Sequence, residues 1–561
     1  MAKKHDLKHL KEQGKVNVNL PEVIDQFQRK EISRRDFMRM ASALGMSAAT
    51  VYGFAGIVPT ARADGHVKKG GTFRMDSPLQ DLTDPQLFSW IEGSNVTRGM
   101  CEYLTMYGHD GVVKPYLAEK WSVSSDGKTF DIFLRKGIKW SNGDELNADD
   151  VIHNFNRWRV DGNASINNSE WGTGVMNDPE KVNSHQVRLH LTKPDVTVAH
   201  RLFAYPTQIV HRSFDDTGAD LKKDAIGTGP FTLKSFSTER AELVRREGYW
   251  GGPDNNGDAY LDGVLFVNLG EDEQAPLSAL ASGQIDWMYK INPKQLGVIQ
   301  ELPNINILST DSGQTPVIRF ACSDATFKDK DDRDYSVKEI DPRVREAIQL
   351  AASNADILRI AYAGNGAEGE NHHTSRTQAD YADVGKQRQN VERARELIKQ
   401  AGMEGKPIKV TLGNTQGSWE TDTCQVLQEQ CKKAGINLEL QVLPQDQYWE
   451  GWDKSDFGLT FWTDRPLAVM LHKLAYRSDA KWNEARFKSQ RYDDALDAAA
   501  ASPDAKAASE HIKVCEQELL SNHVMVQPFF LKLFTGGSSK VKNFPRHPAE
   551  FYPFHRLWID A

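Results

Sequence analysis

At 561 residues, with 39% hydrophobic and 26% charged residues, the chain is long enough for two or three domains and too apolar to be disordered. Its formal charge is −8, but the first 63 residues hold 11 Lys/Arg against 6 Asp/Glu, which leaves 58 against 71 and a body at −13. A body this acidic argues against nucleic acid or anionic lipid as partner.

The chain opens with a long polar extension over residues 1–32. Ser33-Arg34-Arg35-Asp36-Phe37-Met38 then precedes an apolar stretch over residues 40–58. That stretch is rich in Ala, Gly, Ser and Met, which is weak for a stable membrane span. Ala61-Arg62-Ala63 after it is a small-x-small site for a signal peptidase. The arrangement resembles a twin-arginine export signal, S-R-R-x-F before a mildly hydrophobic segment. Residues 1–63 are therefore expected to be a signal peptide cut near Ala63, with the mature chain in the periplasm.

From there the pattern is mixed α and β with no internal repeat. Residues 121–134 read as a hairpin, with Asp126-Gly127 at the turn and Phe130, Ile132 and Leu134 alternating on one face. Asn147-Ala148-Asp149-Asp150 caps a helix whose Val151, Phe155 and Trp158 fall at helical spacing. Gly227-Thr228-Gly229-Pro230 is a turn feeding a strand at Phe231, and a second strand is expected over residues 241–246. Asp341-Pro342 opens a helix expected to run through Val344, Ile348 and Ala351 until Gly364 stops it. Charged stretches at 254–258 and 329–334 read as exposed loops.

Several motifs fail on context. Gly364-Asn365-Gly366-Ala367-Glu368-Gly369 spells G-x-G-x-x-G but follows an expected helix rather than a strand. Asp329-Lys330-Asp331 begins like a calcium loop, yet Asp334 stands where glycine is required and Ile340 where the closing glutamate belongs. There is no P-loop, H-E-x-x-H or G-x-S-x-G, so no catalytic residue, metal site or cofactor is expected. Of the cysteines, Cys101, Cys322, Cys424, Cys431 and Cys515, at least one is unpaired by count. Cys424 and Cys431, on one expected helix, lie roughly 10 Å apart along its axis, too far for a disulfide. No cysteine follows the apolar segment to carry a lipid.

Nearly the whole mature chain resembles the family 5 extracellular solute-binding proteins of ABC importers, the group that includes dipeptide- and oligopeptide-binding proteins. The resemblance rests on Val113-Lys114-Pro115-Tyr116-Leu117-Ala118-Glu119-Lys120-Trp121, Ser125-Asp126-Gly127-Lys128-Thr129-Phe130, Leu134-Arg135-Lys136-Gly137-Ile138-Lys139-Trp140 and Asn142-Gly143-Asp144, in that order. Gly227-Thr228-Gly229-Pro230-Phe231, Tyr249-Trp250-Gly251-Gly252, Ala279-Leu280-Ala281-Ser282-Gly283-Gln284-Ile285-Asp286 and Asp341-Pro342-Arg343-Val344-Arg345-Glu346-Ala347 continue it. It implies an α/β, two-lobed periplasmic-binding-protein fold with a hinge and an extra subdomain inserted in the first lobe. Lobe I would span residues 64–313, with the insert at about 113–220. Lobe II would span 314–526, and 527–561 would return to lobe I, with crossings near 312–318 and 526–530. It further implies a non-enzymatic, monomeric protein that closes on a peptide or peptide-like ligand and delivers it to an ABC permease. A non-peptide, opine-like carboxylate is the alternative ligand, and a periplasmic enzyme the alternative class.

In peptide-binding relatives a W-x-x-D segment holds the peptide's free amino end. Here the segment reads Trp462-Thr463-Asp464-Arg465, so the anchoring position is Arg465 and Asp464 comes one residue early. An arginine facing the cleft suits a carboxylate through a planar, bidentate contact. Asp464 is left for a cation, or both charges pair within the protein. Trp287 and Tyr289 are candidates for aromatic contact with the ligand, with core packing as the alternative. His372 and His373, in a loop after a glycine-rich stretch, are candidates for the cleft rim, with a solvated loop as the alternative. The expected ligand-binding set is thus Trp462, Thr463, Asp464, Arg465, Trp287, Tyr289, His372 and His373.

Overall fold

A computed structural model describes residues 20–46, 50–51, 67–88, 90–108, 111–160, 165–252, 257–328, 334–502 and 505–560. The expected cleavage site at 61–63 and most of the charged stretches at 254–258 and 329–334 lie outside the described residues.

Two sheets organise the chain. The first has eight strands, ordered Ile305–Asp311, Phe529–Ser538, Trp287–Met288, Thr72–Asp76, Gly263–Val267, Arg240–Arg245 and Phe231–Phe236, with Gly366–Glu368 also pairing Phe529–Ser538. Thr72–Asp76 runs parallel to both of its neighbours, and the outer strands pair antiparallel. The second has five strands, ordered Asn437–Leu443, Pro407–Gly413, Phe457–Trp462, Thr315–Phe320 and Met525–Val526. The chain passes from the first sheet to the second between Asp311 and Thr315, and back between Val526 and Phe529.

A four-stranded antiparallel sheet of Ala118–Val123, Thr129–Leu134, Gln186–His190 and Glu180–Asn183 lies within the first lobe. Its buried residues share one core with the large sheet, so Trp121, Phe130 and Ile132 pack in the same cluster as Phe73 and Met75. The helix Ala148–Trp158 begins on a complete capping box: Asn147 accepts from the Asp149 N–H, and Asp150 accepts from the Asn147 N–H at 2.9 Å. Val151, Phe155 and Trp158 are fully buried, as their spacing requires.

The second sheet is covered on both faces. Strand alternation sends Ile318 and Phe320 into one cluster with the helices Pro342–Ala351 and Trp419–Lys433. Val317 and Trp462 go to the other, with Ala468–Ala475, Gln490–Ala501 and Ala505–Ser521. The single helix expected from Asp341 to Gly364 is two: Pro342–Ala351 ends at an extended Ala352, and Ser353 caps Asn354–Ala361 by accepting from the Asp356 N–H. The five cysteines are all free thiols.

Ahead of the body, Leu20–Gln28 and Arg34–Ala43 form two helices, the second capped by Ser33. Val23, Phe37, Met40 and Val51 pack with Val112 and Val196 of the first lobe and Ala505 of the second. Arg34 and Arg35 stay exposed, while Arg39 is buried and donates to the Thr377 carbonyl at 2.8 Å.

Candidate functional site

A narrow cleft, open to solvent, lies between the lobes. The strand Phe457–Trp462 supplies its floor. This strand is central in the second sheet, and its C-terminal end delivers Thr460 to Trp462, then Thr463 and Arg465, to the cleft wall.

A buried carboxylate fixes that strand end. Glu484 accepts from Trp462 Nε1 at 2.8 Å and Thr460 Oγ1 at 2.6 Å, and pairs with Arg319 Nε at 2.5 Å. Burial pushes the Glu484 pKa up and Arg319 opposes it. Arg319 is itself tied to the Trp452 carbonyl at 2.6 Å and Ser455 Oγ at 2.8 Å, so one ion pair orients two tryptophans of the wall.

Four tryptophans follow one another along lobe II. Trp449 and Trp452 stand at 65° with centroids 6.3 Å apart, Trp452 and Trp482 at 84° and 6.1 Å, and Trp482 and Trp462 at 72° and 6.0 Å. All four line the cleft, facing Trp90, Glu92 and Tyr205 of lobe I. Gly93 gives Trp90 its position: a Cβ at that glycine would come within 2.6 Å of the Trp90 ring.

Arg465 is 7% exposed and donates to Thr463 Oγ1 at 2.6 Å and the Asp464 carbonyl at 3.1 Å. Its guanidinium carbon lies 5.7 Å from the centre of the Tyr205 ring. Among the described residues no carboxylate comes within ion-pair distance of it. Asp464 takes a different role, accepting from the Gly313 N–H at 2.7 Å, in the crossing between the sheets, and from the Tyr107 hydroxyl at 3.1 Å. Burial pushes its pKa up, against both of these hydrogen bonds and the nearby Arg39 and Arg465. Of the two charges in the segment, Arg465 lines the cleft and Asp464 ties the crossing to lobe I.

On the opposite wall Glu92 pairs with Lys290 at 2.9 Å. Lys290 also reaches Glu550 at 3.5 Å and Gln416 of lobe II. Burial opposes the charge on Lys290, but Glu550 and Glu92 outweigh it and hold its pKa above the ordinary lysine value. Further contacts cross between the lobes: Glu273 accepts from the Ser418 N–H at the start of the helix Trp419–Lys433, Lys294 pairs with Asp422 at 2.6 Å, and Lys473 with Asp195 at 2.7 Å.

Trp462, Thr463 and Arg465 thus meet at the cleft, and the other expected residues do not. Trp287 is a correction. It sits on a strand inside the first sheet, stacks on Phe544 at 4.4 Å and donates to Thr535 Oγ1 at 2.6 Å. Tyr289 is a second, packed edge-on against Tyr552 at 5.8 Å in the same core. His372 and His373 are neither a solvated loop nor a rim, being fully buried. His372 bridges Glu516 and Glu370, each at 3.0 Å, and His373 bonds the Tyr476 hydroxyl at 2.8 Å while backing Trp462 edge-on at 5.5 Å. Sequence reasoning missed Trp90, Glu92, Tyr205, Trp449, Trp452 and Trp482. The W-x-x-W spacing of Trp449, on a short helix, and Trp452, just past its C-terminal end, was the one available signal.

The model of the bacterial extracellular solute-binding proteins, family 5 (Middle), matches residues 112–466. The Escherichia coli K12 dipeptide-binding protein is 27% identical over 362 residues, which is 60% of this chain and 64% of that protein, just under two thirds of its length. Among solved structures, the Helicobacter pylori DppA in complex with the peptide STSA superposes with a TM-score of 0.77 at 20% identity, over 88% of this chain and 99% of that one. AgaA from A. tumefaciens R10, in complex with agropinic acid, gives a TM-score of 0.74 at 22% identity over 88% and 99%. This chain shares the two-lobed α/β fold with both of these solved structures.

Proposed function

Because the chain belongs to the bacterial extracellular solute-binding proteins of family 5, we propose that it captures a small carboxylate-bearing solute, a peptide or an amino-acid-derived compound like one, by closing its lobes, and hands it to the permease of an ABC importer. The observation that carries the ligand class is Arg465, a buried guanidinium on the cleft wall whose hydrogen-bond partners are a hydroxyl and a carbonyl rather than a carboxylate. A buried cation is costly until an anion meets it, and a planar guanidinium meets a carboxylate with two parallel hydrogen bonds. A non-peptide, opine-like acid is favoured over an ordinary peptide by Asp464, whose carboxylate serves Gly313 and Tyr107 rather than a ligand's amino group.

In this reading the protein is a monomer working in the periplasm, without catalysis or cofactor. Ser33 to Met38 act as a twin-arginine export signal, and cleavage falls near Ala63. The test is a thermal-shift screen of the purified chain, unfolded and refolded to strip ligand, against dipeptides, longer peptides, opines, oligosaccharides and nickel. A ligand at ~100 times its dissociation constant adds about 2.7 kcal/mol of stability. Carboxylates are expected to shift the wild type and to lose that shift in Arg465→Ala. Equal shifts in both proteins would remove Arg465 as the anchor.

A further inference from the structure

The other end of the ligand can be read from the cleft's engaged carboxylates and its rings. A primary ammonium carries three N–H donors and, out of water, needs an acceptor for each. Among the described residues, the carboxylates around the cleft are committed elsewhere. Glu92 is paired with Lys290, Glu484 takes Trp462, Thr460 and Arg319, and Asp464 takes Gly313 and Tyr107. Against this stand Trp90, Trp449, Trp452, Trp462, Trp482 and Tyr205 on the walls. Successive lobe II tryptophans turn by 65°, 84° and 72°, so their rings meet edge to face rather than as a stack and present differently oriented faces along the wall.

The face of an indole is electron-rich and attracts a cation without a hydrogen bond. A fully alkylated ammonium has no N–H to satisfy and loses little hydration on moving against such faces. Resting on the solute-binding reading above, we propose that the cleft takes a betaine-like zwitterion, its quaternary ammonium among the tryptophans and its carboxylate on Arg465.

The test compares matched ligands that differ only at nitrogen: γ-butyrobetaine against γ-aminobutyrate, and trimethylglycine against glycine, with Ala-Ala as the peptide. Each is titrated into the purified, refolded chain by calorimetry. The methylated member of each pair is expected to bind at least 10-fold more tightly. Trp452→Phe, which keeps a ring face, should retain most of that preference, and Trp452→Leu, which keeps apolar surface alone, should lose it, with melting curves confirming that both variants fold. Equal or tighter binding of the primary amines, or of Ala-Ala, overturns the betaine assignment and leaves the solute-binding reading standing. Binding of the methylated ligands that is unaffected by Trp452→Leu also overturns it. If none of these ligands binds but an opine or longer peptide does, the assignment falls alone. If no solute from either series binds, both readings fall.

Discussion

Glu484 and Arg319 show how much of the cleft depends on groups that never reach it. Their pair is almost fully buried, and removing one partner strands a charge. Arg319→Ala is expected to cost about 3–5 kcal/mol in urea unfolding, because Glu484 is left without its counter-ion. Gly93→Ala should fold but bind more weakly, since the new Cβ displaces Trp90 from the wall; ligand titration checks this, and unchanged affinity would show that Trp90 is dispensable. His372 carries a pH dependence. Burial opposes its charge, but Glu516 and Glu370 outweigh it and push its pKa up to about 9 from 6.5. Its contribution is therefore complete below about pH 6.5 and fades as pH rises through about 9. The melting temperature should fall across that window in the wild type, and the fall should shrink in His372→Gln. At this scale the place of Arg465 at the cleft was legible because the segment departs from the W-x-x-D pattern of peptide-binding relatives. Trp287 and Tyr289 misled because a tryptophan beside a cleft and one in a core have the same sequence. Trp449 and Trp452 carry the same ambiguity.

The elements were read more securely where chemistry is local. The hairpin at Asp126-Gly127, the turn into Phe231 and the Asn147 capping box all depend on residues within a few positions of one another. Asn147→Ala should cost ~1 kcal/mol of stability through loss of the cap, measured by urea unfolding. The break at Ala352–Ser353 was missed because apolar spacing continues across it, from Ile348 and Ala351 to Ile357 and Leu358, and the serine cap inside that pattern was overlooked. The helix Trp419–Lys433 carries a contact no sequence pattern announces, in which Glu273 of the other lobe sits at its N-terminus. A carboxylate there is favoured by the helix dipole only while the lobes are together. Glu273→Ala is therefore expected to weaken ligand binding about two- to five-fold, the equivalent of the ~0.3–1 kcal/mol such a charge is worth. Unchanged affinity would show that the contact does not bias closure.

For the whole molecule, the order of family motifs identified the two-lobed fold, but no sequence pattern indicated what the lobes and the N-terminal segment do to each other. The helices Leu20–Gln28 and Arg34–Ala43 touch both lobes through Val112, Val196 and Ala505 while leaving Arg34 and Arg35 exposed. The uncleaved chain is accordingly expected to melt at a higher temperature than residues 64–561, and equal melting would mean that this packing contributes nothing. In the proposed function the interlobe cleft holds a carboxylate solute on Arg465. Trp90, Trp449, Trp452, Trp462 and Trp482 make that cleft its own reporter, so the most direct measurement is a tryptophan-fluorescence titration of wild type and Arg465→Ala with the acids that shift the melting curve. The expected outcome is a saturable change in the wild type and its loss, or a shift to at least 10-fold higher concentration, in the variant. Superimposable curves for the two proteins would contradict it.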